Sequence, residues 1–418
     1  MPDIVVFPKT TVEVKGIVDF ARRYNIPIVP RGAGSGMSGG SLAVNGGIII
    51  SFEMMNNIKN VDKVNLLVEV EPGVITGQLH RYLEKSGLFY PPDPASRNFS
   101  SIGGNVAENA GGLRAVKYGV TKDYVKELEV VFPDGNIVKT GGKTVKNVAG
   151  YDLTSILIGS EGTLGIITSI TLKILPLPKS SKTFLLKFKT AEEAIEIVPE
   201  LLLFESTPST IEFIDRYSLD AVEKFTGVNY SDGAGGVILL ENIGNEGEID
   251  FWSQQMKQLF NGRNVDYLES ANEEEKENLW KVRRSISASL SQIRPNRFNE
   301  DVVVRRSDLT KLIEFSYKAA KKRNVLVADF GHAGDGNIHV NMMYNSRDKI
   351  ETKKAWEATE EVAEFVVSLK GSISGEHGIG ITKKELLKLQ LSPNETEKMK
   401  ALKNAFDPYG ILNPGKIF

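Results

Sequence analysis

The run Arg31-Gly32-Ala33-Gly34-Ser35-Gly36-Met37-Ser38-Gly39-Gly40 constrains the fold more than any other segment of this 418-residue chain. Gly34, Gly36 and Gly39 fall in a G-x-G-x-x-G pattern directly after a predicted strand, Ile26 to Pro30. In a doubly wound dinucleotide fold that pattern opens a crossover helix whose N-terminus faces a pyrophosphate. Here only six residues, Ser41 to Gly46, separate the run from the next glycine-bounded strand, Gly47 to Phe52, and no crossover helix fits. The run is then either a nest of backbone N–H groups, for which glycine permits positive φ and close approach of phosphates, or a merely flexible loop. Two further segments, Ser101-Ile102-Gly103-Gly104-Asn105-Val106-Ala107-Glu108-Asn109-Ala110-Gly111-Gly112 and Gly159-Ser160-Glu161-Gly162-Thr163-Leu164-Gly165, repeat the theme and weigh against the loop. With the stiff turn Pro91-Pro92-Asp93-Pro94 they suit a cleft enclosing a large planar cofactor that carries a pyrophosphate.

Around these loops the chain reads as two alternations. Thr10 and Glu13 form a capping box for a helix to about Tyr24, Asn65 to Val70 is a strand, and Ile75, Leu79, Tyr82 and Leu83 stripe a helix that stops at Gly87. Glu127 to Phe132 and Ile137 to Thr140 flank Pro133-Asp134-Gly135, a hairpin signal. After the proline–serine stretch Leu175 to Ser181, longer helices appear: Glu273 to Leu290, then Glu351 to Leu369 with Trp356, Thr359, Ala363 and Val366 on one face, and a last one ending near Phe406. Domains are expected over residues 1–178 and 179–400, with 401–418 returning to the first.

Composition excludes several functions. Lys+Arg 51 against Asp+Glu 53 gives no field for nucleic acid, and Cys 0 removes thiolate nucleophiles, cysteine zinc sites and iron–sulfur clusters, so any redox centre is borrowed. The start Met1-Pro2-Asp3-Ile4 carries no basic or long apolar leader, and no apolar run is long enough for a membrane helix. A cytoplasmic enzyme is expected, with peripheral membrane association allowed.

Four histidines are present, three of them between His332 and His377. Gly331-His332-Ala333-Gly334-Asp335-Gly336-Asn337-Ile338-His339-Val340-Asn341 reads as strand, turn and returning strand, which aims His332 and His339 into one cleft. Ser374-Gly375-Glu376-His377-Gly378 adds a carboxylate and a third imidazole. His332, His339 and Glu376 make a two-His, one-carboxylate divalent-metal set, zinc first with Mn or Fe admissible; the alternative is hydrogen-bonded structural histidines. His80, beside Arg81, reads as a surface histidine. In Trp280-Lys281-Val282-Arg283-Arg284-Ser285-Ile286-Ser287, a guanidinium can fork onto a carboxylate, or the segment is a solvated charged face.

Pro30-Arg31-Gly32-Ala33-Gly34-Ser35, Asp93-Pro94, Ile102-Gly103-Gly104-Asn105, Asn109-Ala110-Gly111-Gly112 and Gly159-Ser160-Glu161-Gly162 resemble the FAD-binding domain of the vanillyl-alcohol-oxidase/PCMH flavoproteins. Over almost the whole chain the resemblance is to FAD-linked D-2-hydroxy-acid dehydrogenases: D-lactate dehydrogenase, D-2-hydroxyglutarate dehydrogenase and the glycolate oxidase catalytic subunit. It implies an α+β architecture, a PCMH-type domain of two α/β subdomains plus a cap domain with an antiparallel sheet, and dehydrogenation of a short D-2-hydroxy acid. It adds Ser38, Gly39, Gly40, Ser101, Ala107, Tyr118, Gly119, Gly165, Ile166, Ile167 and Asn413 to the cofactor contacts, and places Glu161 toward the adenosine end. His332, His339 and Glu376 match the metal ligands, His377 the base, and Arg283, Ser287 and Asn341 the substrate contacts. Asn299 stands where hydroxyglutarate enzymes have a lysine, which favours a lactate-like acid. Lacking a His or Cys in the first glycine run, the chain is expected to hold FAD noncovalently and to pass electrons to a quinone, a cytochrome or an electron-transfer flavoprotein. A homo-oligomer fits this reading. A noncatalytic flavin-binding subunit and a metal-dependent hydrolase are the rivals.

Overall fold

Thr10 caps the helix Thr11–Tyr24, its Oγ1 accepting the Glu13 N–H, while the Glu13 carboxylate accepts the N–H of Lys9. Arg22 and Arg23 in the last turn complement the helix dipole, and Asn25 ends it in the left-handed region at φ 51°. The helix buries Val14, Val18 and Ala21 with Ile28, Ile48 and Ile50 of a three-stranded parallel sheet, ordered Ile4–Val6, Ile48–Ser51, Ile28–Arg31. Parallel strands normally need a helical crossover. Between Arg31 and Ile48 there is none, as the spacing predicts, and the first glycine run makes the connection.

This computed structural model describes residues 1–263 and 265–418, in two units: Met1–Gly112 with Gly119–Leu177 and Glu376–Phe418, and Leu113–Tyr118 with Pro178–Gly375. The first unit also holds a five-stranded antiparallel sheet ordered Ile58–Asp62, Leu67–Val70, Ile166–Lys173, Val125–Val131, Ile137–Gly141. Its hairpin turns at Pro133-Asp134-Gly135, where Gly135 has φ 86°. The C-terminal tail adds to the parallel sheet, Ile28 donating its N–H to Ile411 and accepting that of Asn413. The change of unit expected at residue 400 falls inside the helix Pro393–Phe406; the chain instead re-enters the first unit at Glu376, because Ile379 and Gly380 already donate their N–H groups to Glu161.

His80 corrects its sequence assignment. It lies on the helix Thr76–Glu84 but is 8% exposed, its Nε2–H donating to the Pro92 carbonyl at 3.0 Å. The proline turn covers a second side of the helix, a packing that the Leu79/Leu83 stripe does not announce.

In the second unit a seven-stranded antiparallel sheet runs Asp266–Glu269, Ser180–Phe188, Gly236–Gly244, Thr210–Asp215, Leu326–His332, Asn337–Tyr344, Asn296–Val303. Side chains alternate between its faces. One face packs Ile211, Phe213, Ile338 and Val340 with Leu309, Leu312 and Ile313 of the helix Leu309–Arg323 and Ala355, Ala358 and Val362 of Lys349–Ser368. The other packs Ile214, Ala328 and Phe330 with Arg216–Thr226 and Glu273–Ile293. The register pairs Glu212 with His332, Phe330 with His339, Asp301 with His339 and Asn299 with Asn341, so all these side chains share the second face.

Beneath the first face lie two acids that pair with no cation among the described residues. Asp215 accepts N–H bonds from Asp329 and Ser218 and a bond from Tyr317, and Asp329 accepts from Ser316; both acids are 0% exposed. Burial pushes Asp215 up to about 6, while burial and then the Asp215 charge push Asp329 well above the usual carboxyl range. For a raised carboxyl, the stabilisation is full below the unfolded value and lost as pH climbs through the folded one. Thermal unfolding is therefore expected to show the protein less stable at pH 8 than at pH 5, with Asp329→Asn cutting that loss; equal losses in both proteins would contradict the shared burial of charge.

Candidate functional site

Pro30, Gly32, Ala33, Gly34, Ser35 and Gly40 of the first glycine run, Pro94 of the proline turn, Gly103, Gly104 and Ala107 of the second segment, and Glu161, Gly162, Gly165 and Ile167 of the third line a single cleft of the first unit. Glu376 and His377 line the same cleft. The second segment is not a loop. It forms the helix Ile102–Glu108, whose N-cap Ser101 accepts bonds from Gly104 and from Ala33. A Cβ on Gly32 would lie 2.1 Å from that Ser101 oxygen, so a larger residue there would displace the oxygen that caps the helix and accepts from Ala33.

Other expected contacts support the walls. Asp93 accepts from Arg97 on both carboxylate oxygens, Asn109 accepts from Lys122, Ile166 belongs to the core, and Asn413 donates to the carbonyls of Gly40 and Glu161. Arg31 ends its strand, Ser38 and Gly39 stand in the run beyond it, and the left-handed glycines Gly112 and Gly119 flank the excursion Leu113–Tyr118. Gly111 packs against the Glu376 side chain, and Tyr118 lies in the second unit. Glu161, in the left-handed region at φ 52°, gives its two oxygens to the N–H groups of Ile379 and Gly380 and so fixes the segment after His377. Burial pushes its carboxyl up, against the pull of those donors and of Lys416. Glu376 Oε1 stands 3.9 Å from His377 Nε2.

On the second unit's sheet, the His332 and His339 rings meet edge to face at 5.3 Å, as the strand–turn–strand reading predicts. Sequence reasoning missed the group that organises them. Glu212, fully buried, receives His332 Nδ1 on one oxygen and Arg283 Nε on the other, each at 2.5 Å. Burial opposes its charge, but the neighbouring His332 and Arg283 outweigh that and hold it below the usual range. A carboxylate can only accept, so His332 Nδ1 carries the proton of this bond. Arg283 rests over the Phe330 ring at 4.8 Å, and among the described residues its Nε alone makes a hydrogen bond, to Glu212. Arg284, by contrast, is an exposed surface group paired with Glu277.

Ser287 is exposed one helical turn beyond Arg283. Asn341 is fully buried, its amide donating to Ala328 and His339 while its Oδ1 has no hydrogen-bond partner among the described residues. Asp301, a second group that sequence reading missed, accepts from Asn337, Ser374 and Gly375, and its Oδ1 lies 3.9 Å from His339 Nδ1. Glu212 lies between Ile211 and Phe213 in the strand Thr210–Asp215, and Asp301 lies in the more polar strand Asn296–Val303, whose composition does not mark it out.

A glycine-walled cleft beside an imidazole, and a separate antiparallel sheet bearing histidines and an arginine, define a two-domain flavoprotein oxidoreductase. The chain belongs to the family of FAD-linked oxidases: residues 2–141 match an FAD binding domain and residues 177–417 the C-terminal domain of FAD linked oxidases. It is 40% identical to glycolate oxidase subunit GlcD of Bacillus subtilis, over 100% of this chain and 89% of that one, and 36% identical to a D-lactate dehydrogenase of Anaerostipes hadrus with the same coverage. It is 33% identical to D-2-hydroxyglutarate dehydrogenase of Stutzerimonas stutzeri, over 100% and 91%. The fold is that of p-cresol methylhydroxylase, with TM-score 0.82 at 19% identity over 99% and 88% of the two chains. The protein is thus an FAD-dependent oxidoreductase with a PCMH-type fold. Among the described residues no helix is long and apolar enough to cross a membrane.

Proposed function

We propose that the protein oxidises a short D-2-hydroxy acid of the D-lactate type to its 2-oxo acid and hands the electrons to an external acceptor. The observation that carries this reading is the Glu212 bridge, which fixes Arg283 and His332 on one face of the second unit's sheet. Arg283 binds the substrate carboxylate through its terminal amino groups, and Asn341, whose Oδ1 has no partner among the described residues, is a further substrate contact. His377 takes the hydroxyl proton as general base. FAD, when bound, supplies the acceptor for the hydride. His332 and His339, with Glu376, are the ligands we assign to a divalent ion, zinc first, which would supply Lewis acidity to the substrate oxygen. The fit rests on His332: a ring nitrogen donating to a buried carboxylate is the usual support of a metal-ligating imidazole.

Chain length of the acid is the finer point. Asn299 pairs with Asn341 in the sheet and brings no positive charge to a distal carboxylate. Turnover with a dye acceptor is expected to give D-lactate a higher kcat/KM than D-2-hydroxyglutarate, and Asn299→Lys to move that ratio toward the diacid by about tenfold, the worth of one exposed charged hydrogen bond. A parent enzyme that prefers the diacid would contradict the short-acid reading. The panel also includes glycolate, in view of the relative named for it.

A further inference from the structure

Glu108 has no role in the scheme above, yet it lines the same cleft as Glu161 and His377. It is the last residue of the helix Ile102–Glu108. Its Oε1 lies 3.6 and 3.1 Å from where a Cβ would stand on Gly36 and Gly40, so this oxygen faces the first glycine run. Its Oε2 lies 2.2 Å from the corresponding point on Gly378, which has φ 75°, so no side chain is admitted beside it. That same oxygen is enclosed and has no hydrogen-bond partner among the described residues.

We propose that Glu108 is a neutral carboxylic acid that donates a hydrogen bond to FAD from the wall of the cleft. Two carboxyl groups share this corner, since Glu161 Oε1 is 3.0 Å from the same Gly378 point. Glu161 holds the N–H groups of Ile379 and Gly380 and has Lys416 beyond it. Among the described residues Glu108 Oε2 has no donor. The acid that owns the donors keeps the charge and the other keeps the proton. Burial, then the Glu161 charge, push Glu108 well above the usual carboxyl range. Glu376 and His377, which line the cleft, are the remaining titratable groups facing it, and neither offers Glu108 a fixed cation.

The consequence is selective for the ligand. FAD brings two phosphate charges and two carbonyl acceptors. A protonated Glu108 adds a donor at no cost in charge; an ionised one sets a negative charge beside the loop Gly32–Gly36. FAD binding and the Glu108 proton are therefore linked, and the affinity falls as the proton is lost.

The inference rests on FAD as the cofactor and not on the substrate, so the experiment follows flavin fluorescence and needs no turnover. Flavin-depleted protein is titrated with FAD between pH 6 and pH 9.5 in the parent, Glu108→Gln and Glu108→Ala. In the parent the Kd is expected to rise with pH, by at most about tenfold per pH unit for a single proton. Glu108→Gln, a neutral donor of the same shape, is expected to hold FAD near the parent's low-pH affinity throughout. Glu108→Ala is expected to be weaker than Glu108→Gln by about tenfold at every pH and equally flat. A parent Kd that does not change with pH, a Gln variant that weakens in parallel with the parent, or an Ala variant as tight as the parent at pH 6 would each overturn the proposal. Should the Ala variant fail to fold, the isosteric Gln comparison decides alone. A failure to oxidise any hydroxy acid would leave this result standing and fall on the proposed function.

Discussion

Replacing His377 with Asn is expected to lower the rate at which D-lactate reduces the flavin by about 10²–10⁴-fold, the contribution typical of a positioned general base. Asn keeps a hydrogen-bonding side chain of similar reach but cannot take a proton near neutral pH. The flavin spectrum and FAD content are expected to be unchanged, because the cleft is walled largely by glycine backbone and by the helix Ile102–Glu108. Single-turnover reduction separates the chemical step from acceptor turnover. A variant that reduces its flavin at the parent rate would remove His377 from the reaction, and one that loses FAD would assign it to binding instead.

Removing the divalent ion is expected to have an effect of comparable size. A strong chelator is expected to abolish reduction of the flavin by substrate without releasing FAD, and added divalent metal to restore it; His332→Ala and His339→Ala should each mimic the chelated protein. Glu212→Gln gives a more discriminating result. It keeps the side-chain shape but removes the charge that fixes His332 Nδ1–H and Arg283 Nε. Metal affinity is expected to fall about 10–100-fold, as for other lost partners of ligating histidines, with a rise in KM from the loosened arginine. Metal-free protein, verified by elemental analysis, that reduces its flavin at the untreated rate would contradict the metal assignment.

Much of this site is legible in the sequence because its signals are local. The short stretch between Gly40 and Ile48 leaves no room for a crossover helix, and the connection is indeed a loop. The Gly-Asp-Gly turn puts His332 and His339 on facing strands, since a turn and two strands occupy one stretch of chain. Illegible parts have partners far away. Glu212 meets Arg283 and His332, 71 and 120 residues distant, and nothing near Glu212 names them. Glu108 and Glu161 come together at Gly40 and Gly378, both far along the chain from them. The short excursion Leu113–Tyr118 lacks any linker composition, because it is held by tertiary bonds such as Lys117 to Asn242 and Ile243. His80 went the same way: burial by a turn is a tertiary event, and the helical stripe reports only one face.

Central to the account is stereospecific hydride removal from a D-2-hydroxy acid. The most direct measurement is anaerobic rapid mixing of the flavin-loaded protein with D-lactate and, separately, L-lactate, following the flavin absorbance. Arg283 and His377 assign the carboxylate and the hydroxyl proton to fixed groups, so bleaching is expected with D-lactate and not with its enantiomer. Equal bleaching by both enantiomers, or by neither while an unrelated alcohol reduces the flavin, would contradict it.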